Sequence, residues 1–228
     1  MENVVFVLLV VVWSLLSLFA FGRVLQSRIV RDFFKRNSKL FHPNMISLYG
    51  ALAALVAVIL LLFRQYHISL IFYVVASVAD GIDGKVAREC KMETDLGKKL
   101  DPLCDKSRYG LIKICFVFVF ACLAPVPTFI FLGVDAFGQI AREVIERRKR
   151  NGKGGFFSQS SVSSNWFGKV KTVATDVLVI YCFLMVMEPW VPNYANYVQF
   201  ALIALAVLSI VFKVISFGRL LQLIHLRT

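Results

Sequence analysis

Seven of the fourteen acidic residues fall between positions 80 and 105, and four of them have a spacing that suits shared chemistry. Asp80 and Asp83 stand three apart at the end of one apolar segment and so share a helix face; Asp101 and Asp105 stand four apart at the start of the next. The connection 89–99 is short and polar. It makes the two helices antiparallel neighbours and brings the four carboxylates together near a membrane boundary. At close range in reduced dielectric they repel, and some must bind protons unless cations neutralise them. Oxygen-only ligation without His or Cys favours Mg²⁺ or Mn²⁺ over zinc. Four Asp on two helices suit two ions, the arrangement that serves in-line displacement at phosphorus. The competing reading is a set of solvated helix-end acids paired with Lys85, Arg88, Lys98 and Lys99. Against it, ionisable residues at membrane depth mark function by default.

The elements that must position these acids follow from composition. Of 228 residues 58% are hydrophobic and 18% charged, against about 45–50% and about 25% in a soluble domain. A single core of this size cannot hide that excess, so lipid is the expected solvent. A soluble enzyme, a disulfide-rich secreted module and a disordered chain are set aside. Residues 3–21 and 45–63 are uncharged and long enough to span, and further spans follow at roughly 68–88, 103–123, 128–147, 170–188 and 195–216. Pro125 and Pro127 separate the fourth span from the fifth. The expectation is an all-α polytopic membrane protein: an N-terminal transmembrane anchor (1–21), a basic interfacial helix (22–42) and a six-helix membrane domain (43–228).

Charge sets the orientation. The first span has only Glu2 before it and a poor cleavage site after it, so it reads as an uncleaved anchor rather than a signal peptide. Arg23, Arg28, Arg31, Lys35, Arg36 and Lys39 follow it, and the apolar residues among them fit a helix lying on anionic headgroups. Segments 22–43, 89–100 and 147–169 and the tail hold most of the Lys and Arg, whereas 64–67, 124–127 and 189–194 carry little charge. The first set is therefore cytoplasmic. That placement accounts for the net charge of +12 without nucleic acid as a partner. Cys90, Cys104, Cys115, Cys122 and Cys182 have no CxxC spacing and read as buried apolar side chains, neither a disulfide framework nor a zinc site.

The sequence from 80 to 105 reads Asp80-x2-Asp83-Gly84-x2-Ala87-Arg88-x8-Gly97-x3-Asp101-x3-Asp105. It resembles the signature of the CDP-alcohol phosphotransferase (CDP-alcohol phosphatidyltransferase) family at every defining position. The resemblance runs from Pro43-Asn44 to the C-terminus and implies that family's six-helix core, with the N-terminal anchor outside it. It also implies transfer of a phosphatidyl or similar group from a CDP-linked donor such as CDP-diacylglycerol to an alcohol, with release of CMP. By the same analogy Asp80 and Asp101 bridge both metal ions, Asp83 completes one site and Asp105 the other, and Asp105 takes the acceptor hydroxyl proton. Gly84 and Ala87 lack bulk and let the donor approach the backbone; the alternative for both is tight helix packing. Arg88 resembles the family's donor-binding arginine, and Thr94, Gly97, Asn44 and Ser47 match donor-side positions. His42 reads as a neutral interfacial residue.

The run Leu100-Asp101-Pro102-Leu103-Cys104-Asp105-Lys106 is similar to the variant found in phosphatidylglycerophosphate synthases and CDP-type cardiolipin synthases. Arg142-Glu143 with Arg150, and Gly168-Lys169-Val170-Lys171-Thr172, resemble elements of the glycerophosphate branch. They imply an acceptor-phosphate site at Arg142, Lys169 and Lys171, although a positive-inside flank accounts for the same charges. Gly50, where that branch often has Arg, and Thr175, where it has Gln, depart from the pattern. Asp135 and Asp176 have no family role. Glycerol-3-phosphate is the leading acceptor, then phosphatidylglycerol, then inositol or inositol phosphate; the analogy also implies a homodimer. The rival classes are a cation transporter, which calls for acids near the bilayer midplane, and a non-catalytic scaffold.

Overall fold

A computed structural model describes residues 2–92, 94–151 and 166–225; the side chains of 39, 95–103, 105, 142–151, 166–169 and 213–225 lie outside the description. The chain is all-α. Its elements are α1 (Glu2–Val24), α2 (Arg28–Arg36), α3 (Ser38–Phe41), α4 (Pro43–Leu62), α5 (Tyr66–Glu89), α6 (Asp95–Phe118), α7 (Pro125–Asn151), α8 (Trp166–Met187) and α9 (Ala195–His225). Among the described residues, Glu2–Val24, Pro43–Leu62, Val170–Met187 and Ala195–Phe212 are long and apolar enough to cross a membrane. They make this an integral membrane protein.

Each expected span has a helix, but several boundaries move. The helix expected at 103–123 begins at Asp95 and ends at Phe118, running through Pro102. Pro125 and Pro127 open α7 rather than lying between helices, as suits the first turn, whose N–H groups have no intrahelical partner. Of the basic stretch 22–42, residues 22–24 belong to α1, and Arg28–Arg36 and Ser38–Phe41 form two short helices that meet at Asn37. The chain divides into two compact units, residues 1–123 with 179–193 and residues 124–178 with 194–228, and α8 contributes to both.

In the first unit α4 and α5 pack through small residues. A Cβ on Gly50 would stand 3.2 Å from Ala79 Cβ and 3.5 Å from the Ala76 carbonyl, and Ser69 Oγ donates to the Ala57 carbonyl at 2.6 Å. Close backbones joined by a hydroxyl are how helices associate in lipid, where apolar area alone gives no preference. Phe116 packs edge-on against Phe183 at 5.2 Å. The α1 helix runs parallel to α5. Asn3 Oδ1 lies 2.7 Å from His67 Nε2 near the start of both, and Lys85 Nζ donates to the Leu18 carbonyl at 2.9 Å near their ends. Gly22 leaves the space that Lys85 Nζ uses, 3.2 Å from where a Cβ would be. Leu25, Phe34, Val86 and Cys90 form one buried cluster that ties α2 to the end of α5.

In the second unit α7 packs on α9. Gly138 faces Ile210 closely enough that a Cβ would stand 3.0 Å from its Cγ1. Gln199 Nε2 donates to Thr128 Oγ1 at 2.7 Å, both side chains being buried. Asn196 Oδ1 accepts from the Ala124 N–H at 2.8 Å, satisfying a donor just before α7.

Two measurable consequences follow from this packing. Gly50→Leu forces a branched side chain between α4 and α5 and should lower stability in detergent by about 1–3 kcal/mol in chemical denaturation. The Cys90 thiol is 2% exposed, and desolvation raises its pKa above the ordinary thiol value despite Lys35 and Arg31 nearby. Less thiolate is therefore present at pH 7.5 than in a free cysteine. In a variant retaining only Cys90, maleimide labelling should be at least about tenfold slower than for a model thiol, and Phe34→Ala, which opens the cluster, should speed it.

Candidate active site

The last turns of α5 carry the first half of the acidic constellation. Asp83 is 5% exposed, and an ionised carboxylate so placed must have a hydrogen-bonding partner. Ser47, one turn into α4 and itself buried, supplies one: its Oγ lies 2.5 Å from Asp83 Oδ2 and 3.1 Å from the Pro43 carbonyl. With a single proton to give, the hydroxyl donates to the charged acceptor, which makes the shorter and stronger bond. Asp80, one turn earlier, keeps about a third of its side chain exposed (34%). The pair thus has one carboxylate fixed inside and one open at the rim.

Local sequence explains why Ser47 sits there. His42 is the N-cap of α4, its Nδ1 accepting from the Asn44 N–H at 3.2 Å, and Pro43 occupies the first turn. His42 thus starts the helix through its side chain. Asn44 turns toward the segment between α5 and α6: its Nδ2 and Oδ1 lie 3.1 and 3.2 Å from Thr94 Oγ1. Two residues 50 apart in sequence, both expected on the donor side, are thus joined. Gly84 lies beneath Arg88, whose guanidinium nitrogens are 3.6 and 3.9 Å from where a Cβ would be. The arginine folds back one turn along α5, and a Cβ at position 84 would meet it only in ordinary van der Waals contact.

The second half of the constellation rides on α6. Asp101 and Asp105 lie one turn apart on its backbone, and Gly97 lies in its first turn; the side chains of both acids are outside the described residues. Arg108, three residues after Asp105, is 2% exposed. Its Nη1 donates to Ser77 Oγ at 2.5 Å, and its Nη2 is 3.7 Å from Asp80 Oδ2. Sequence reasoning missed this residue because an arginine in an apolar run reads as an interfacial cation. The one available signal was its place on the face that follows Asp101 and Asp105 at i+3 or i+4 steps.

A small cavity collects these groups, lined by Ser47, Gly50, Asp80, Asp83, Cys104 and Arg108 among others. Among the described residues no group of three or more His, Cys, Asp and Glu is gathered at metal-binding range. The donors that line the cavity are carboxylate and hydroxyl oxygens, with Cys104 the one sulfur among them. That chemistry fits a hard divalent cation.

The residues expected at the acceptor lie in the second unit. Lys171 Nζ pairs with Asp135, whose side chain is 3% exposed. The acid without a family role therefore has a cation from the acceptor set as its partner, and both line a second cavity with Gln139 and Ser209. The side chains of Arg142 and Lys169 lie outside the described residues.

Comparison with known proteins bears on this arrangement. The family model for CDP-alcohol phosphatidyltransferase matches residues 40–212. The CDP-diacylglycerol–glycerol-3-phosphate 3-phosphatidyltransferase of Shigella flexneri serotype 5b is 30% identical over 148 residues, 64% of this chain and 74% of that one. The protein of the same name from Salmonella typhimurium is 32% identical over 138 residues, 60% of this chain and 68% of that one. The Sodalis glossinidius protein is 33% identical over 110 residues, 48% and 57% of the two chains. A model match over most of the chain, together with carboxylates and a buried serine hydroxyl around one cavity, places the chain in the CDP-alcohol phosphatidyltransferase family.

Proposed function

We propose that this chain transfers the phosphatidyl group of CDP-diacylglycerol to glycerol-3-phosphate, giving phosphatidylglycerophosphate and CMP, with two Mg²⁺ or Mn²⁺ ions held by Asp80, Asp83, Asp101 and Asp105. The observation that carries it is Asp83, buried and held by Ser47 beside the open Asp80 in a shared cavity. The relatives' names supply the donor and the acceptor. When bound, such ions neutralise the diphosphate and the departing CMP.

The chain's own residues do the rest. Ser47 fixes one oxygen of Asp83, so that carboxylate is oriented before anything binds. Asn44, Thr94, Gly84, Ala87, Arg88 and Gly97 form the donor side, where Arg88 supplies a fixed positive charge for phosphate. The acceptor oxygen forms the new bond to the phosphorus bearing diacylglycerol as the bond to the CMP oxygen breaks, and the acceptor's proton passes to Asp105. Arg142, Lys169 and Lys171 bind the acceptor phosphate. The Lys- and Arg-rich segments support a site on the cytoplasmic face, in the inner membrane if the cell is prokaryotic, and the protein acts as a homodimer. A cation transporter would hold its acids at mid-membrane, whereas Asp80 and Asp83 lie in the last turns of α5.

The test is CMP release from CDP-diacylglycerol by purified protein across a panel of acceptors. Glycerol-3-phosphate should be the best, and Asp80→Asn, Asp83→Asn and Asp105→Asn should each lower the rate by at least about 10²-fold, as should a chelator. Ser47→Ala, which removes one charge-assisted hydrogen bond, should cost about tenfold. Full activity in Asp105→Asn, or in chelator, contradicts the mechanism; preference for phosphatidylglycerol reassigns the acceptor and makes the product cardiolipin.

A further inference from the structure

Arg108 is a guanidinium inside a membrane protein, 2% exposed, at the wall of the cavity that holds Asp80 and Asp83. Burying such a charge is costly unless it is paired and hydrogen-bonded. One partner is Ser77 Oγ at 2.5 Å and another is Asp80 Oδ2 at 3.7 Å. The first contact is a hydrogen bond and the second distance is too long for one. Ser77 and Asp80 lie three apart on α5, so the guanidinium spans one helix turn, tethered to the hydroxyl and held short of the carboxylate. Asp80, with about a third of its side chain exposed, lies within the field of that charge. Lys85, on the same helix, donates to the Leu18 carbonyl on α1.

We infer that Arg108 is a positioning residue that sets the divalent-cation affinity of the acidic cluster, standing in as the counter-charge of Asp80 when no ion is bound and opposing an ion when one arrives. The inference rests on the metal reading above. A fixed positive charge within a few ångströms of a divalent cation repels it even when an effective dielectric near 20 screens the pair. The same charge relieves repulsion among the carboxylates when the cluster holds no ion. Removing it should therefore tighten metal binding and weaken the metal-free fold together. An arginine that only fills space would change stability alone.

The experiment is a Mn²⁺ titration of the full-length protein in detergent, followed by electron paramagnetic resonance, with thermal midpoints measured in EDTA and in saturating Mn²⁺. Arg108→Gln should bind Mn²⁺ about tenfold or more tightly, with a lower midpoint in EDTA and a larger gain on adding metal; Arg108→Lys should stay near the native affinity. Ser77→Ala should act in the opposite direction: without its tether the guanidinium closes on Asp80, and Mn²⁺ binds several-fold more weakly. If Arg108→Gln does not fold, Ser77→Ala decides. Native protein that binds no Mn²⁺ overturns the metal reading itself. Native protein that binds Mn²⁺, with equal or weaker affinity in Arg108→Gln or unchanged affinity in Ser77→Ala, overturns the role of Arg108 alone.

Discussion

Keeping Asp83 buried beside lipid is the constraint on which the first unit turns. At 5% exposure the carboxylate has lost most of its hydration, and leaving it without hydrogen bonds would cost several kcal/mol. Ser47 answers that need only if α4 lies close to α5 and in one register. Gly50 provides the closeness and the Ser69–Ala57 hydrogen bond fixes the register. The His42 cap and Pro43 determine where α4 starts, and hence that Ser47 falls one turn in, facing α5. A chemical requirement at one residue thus reaches back through helix contact to the choice of residues at a cap.

The two glycines of α5 differ in what a side chain would meet. At Gly81 a Cβ would stand 2.8 Å from Leu18 Cδ2, so its absence seats α1. At Gly84 a Cβ would make only ordinary contact with the Arg88 guanidinium on the same helix, 3.6 Å from its nearest nitrogen. The sequence reading offered substrate approach and helix packing as alternatives for Gly84 and Ala87. At Gly84 the nearest described atoms are the guanidinium nitrogens of Arg88 rather than those of a neighbouring helix.

Much of the architecture was legible in the sequence because two strong signals act at different scales. Hydropathy over twenty residues located every long helix, and the i+3 spacing of Asp80 and Asp83 put both on one face of α5, where they line a single cavity. Boundaries were less legible where those signals conflict. Residues 95–102 are charged and contain a proline, so hydropathy starts the helix too late, yet its backbone begins at Asp95. Partners across the fold were not legible. Nothing local says that Arg108 faces inward to Ser77 and Asp80, or that Asp135 meets Lys171, because a cation near a membrane boundary normally reaches for water or headgroups. Which way it turns depends on the helix opposite, and that is decided by packing far away in sequence.

The parallel course of α1 and α5 has a consequence for assembly. A helix that runs in the same direction as a later one cannot be its hairpin neighbour, so α4 must cross the membrane between them in the opposite sense. During synthesis α1 is complete roughly 60 residues before Gly81 and Lys85 exist to receive Leu18 and Gly22. Its lipid-facing surface therefore includes, for that interval, the seat on which the acidic helix will dock. The α1 helix is in this sense a waiting template for the helix that carries Asp80 and Asp83.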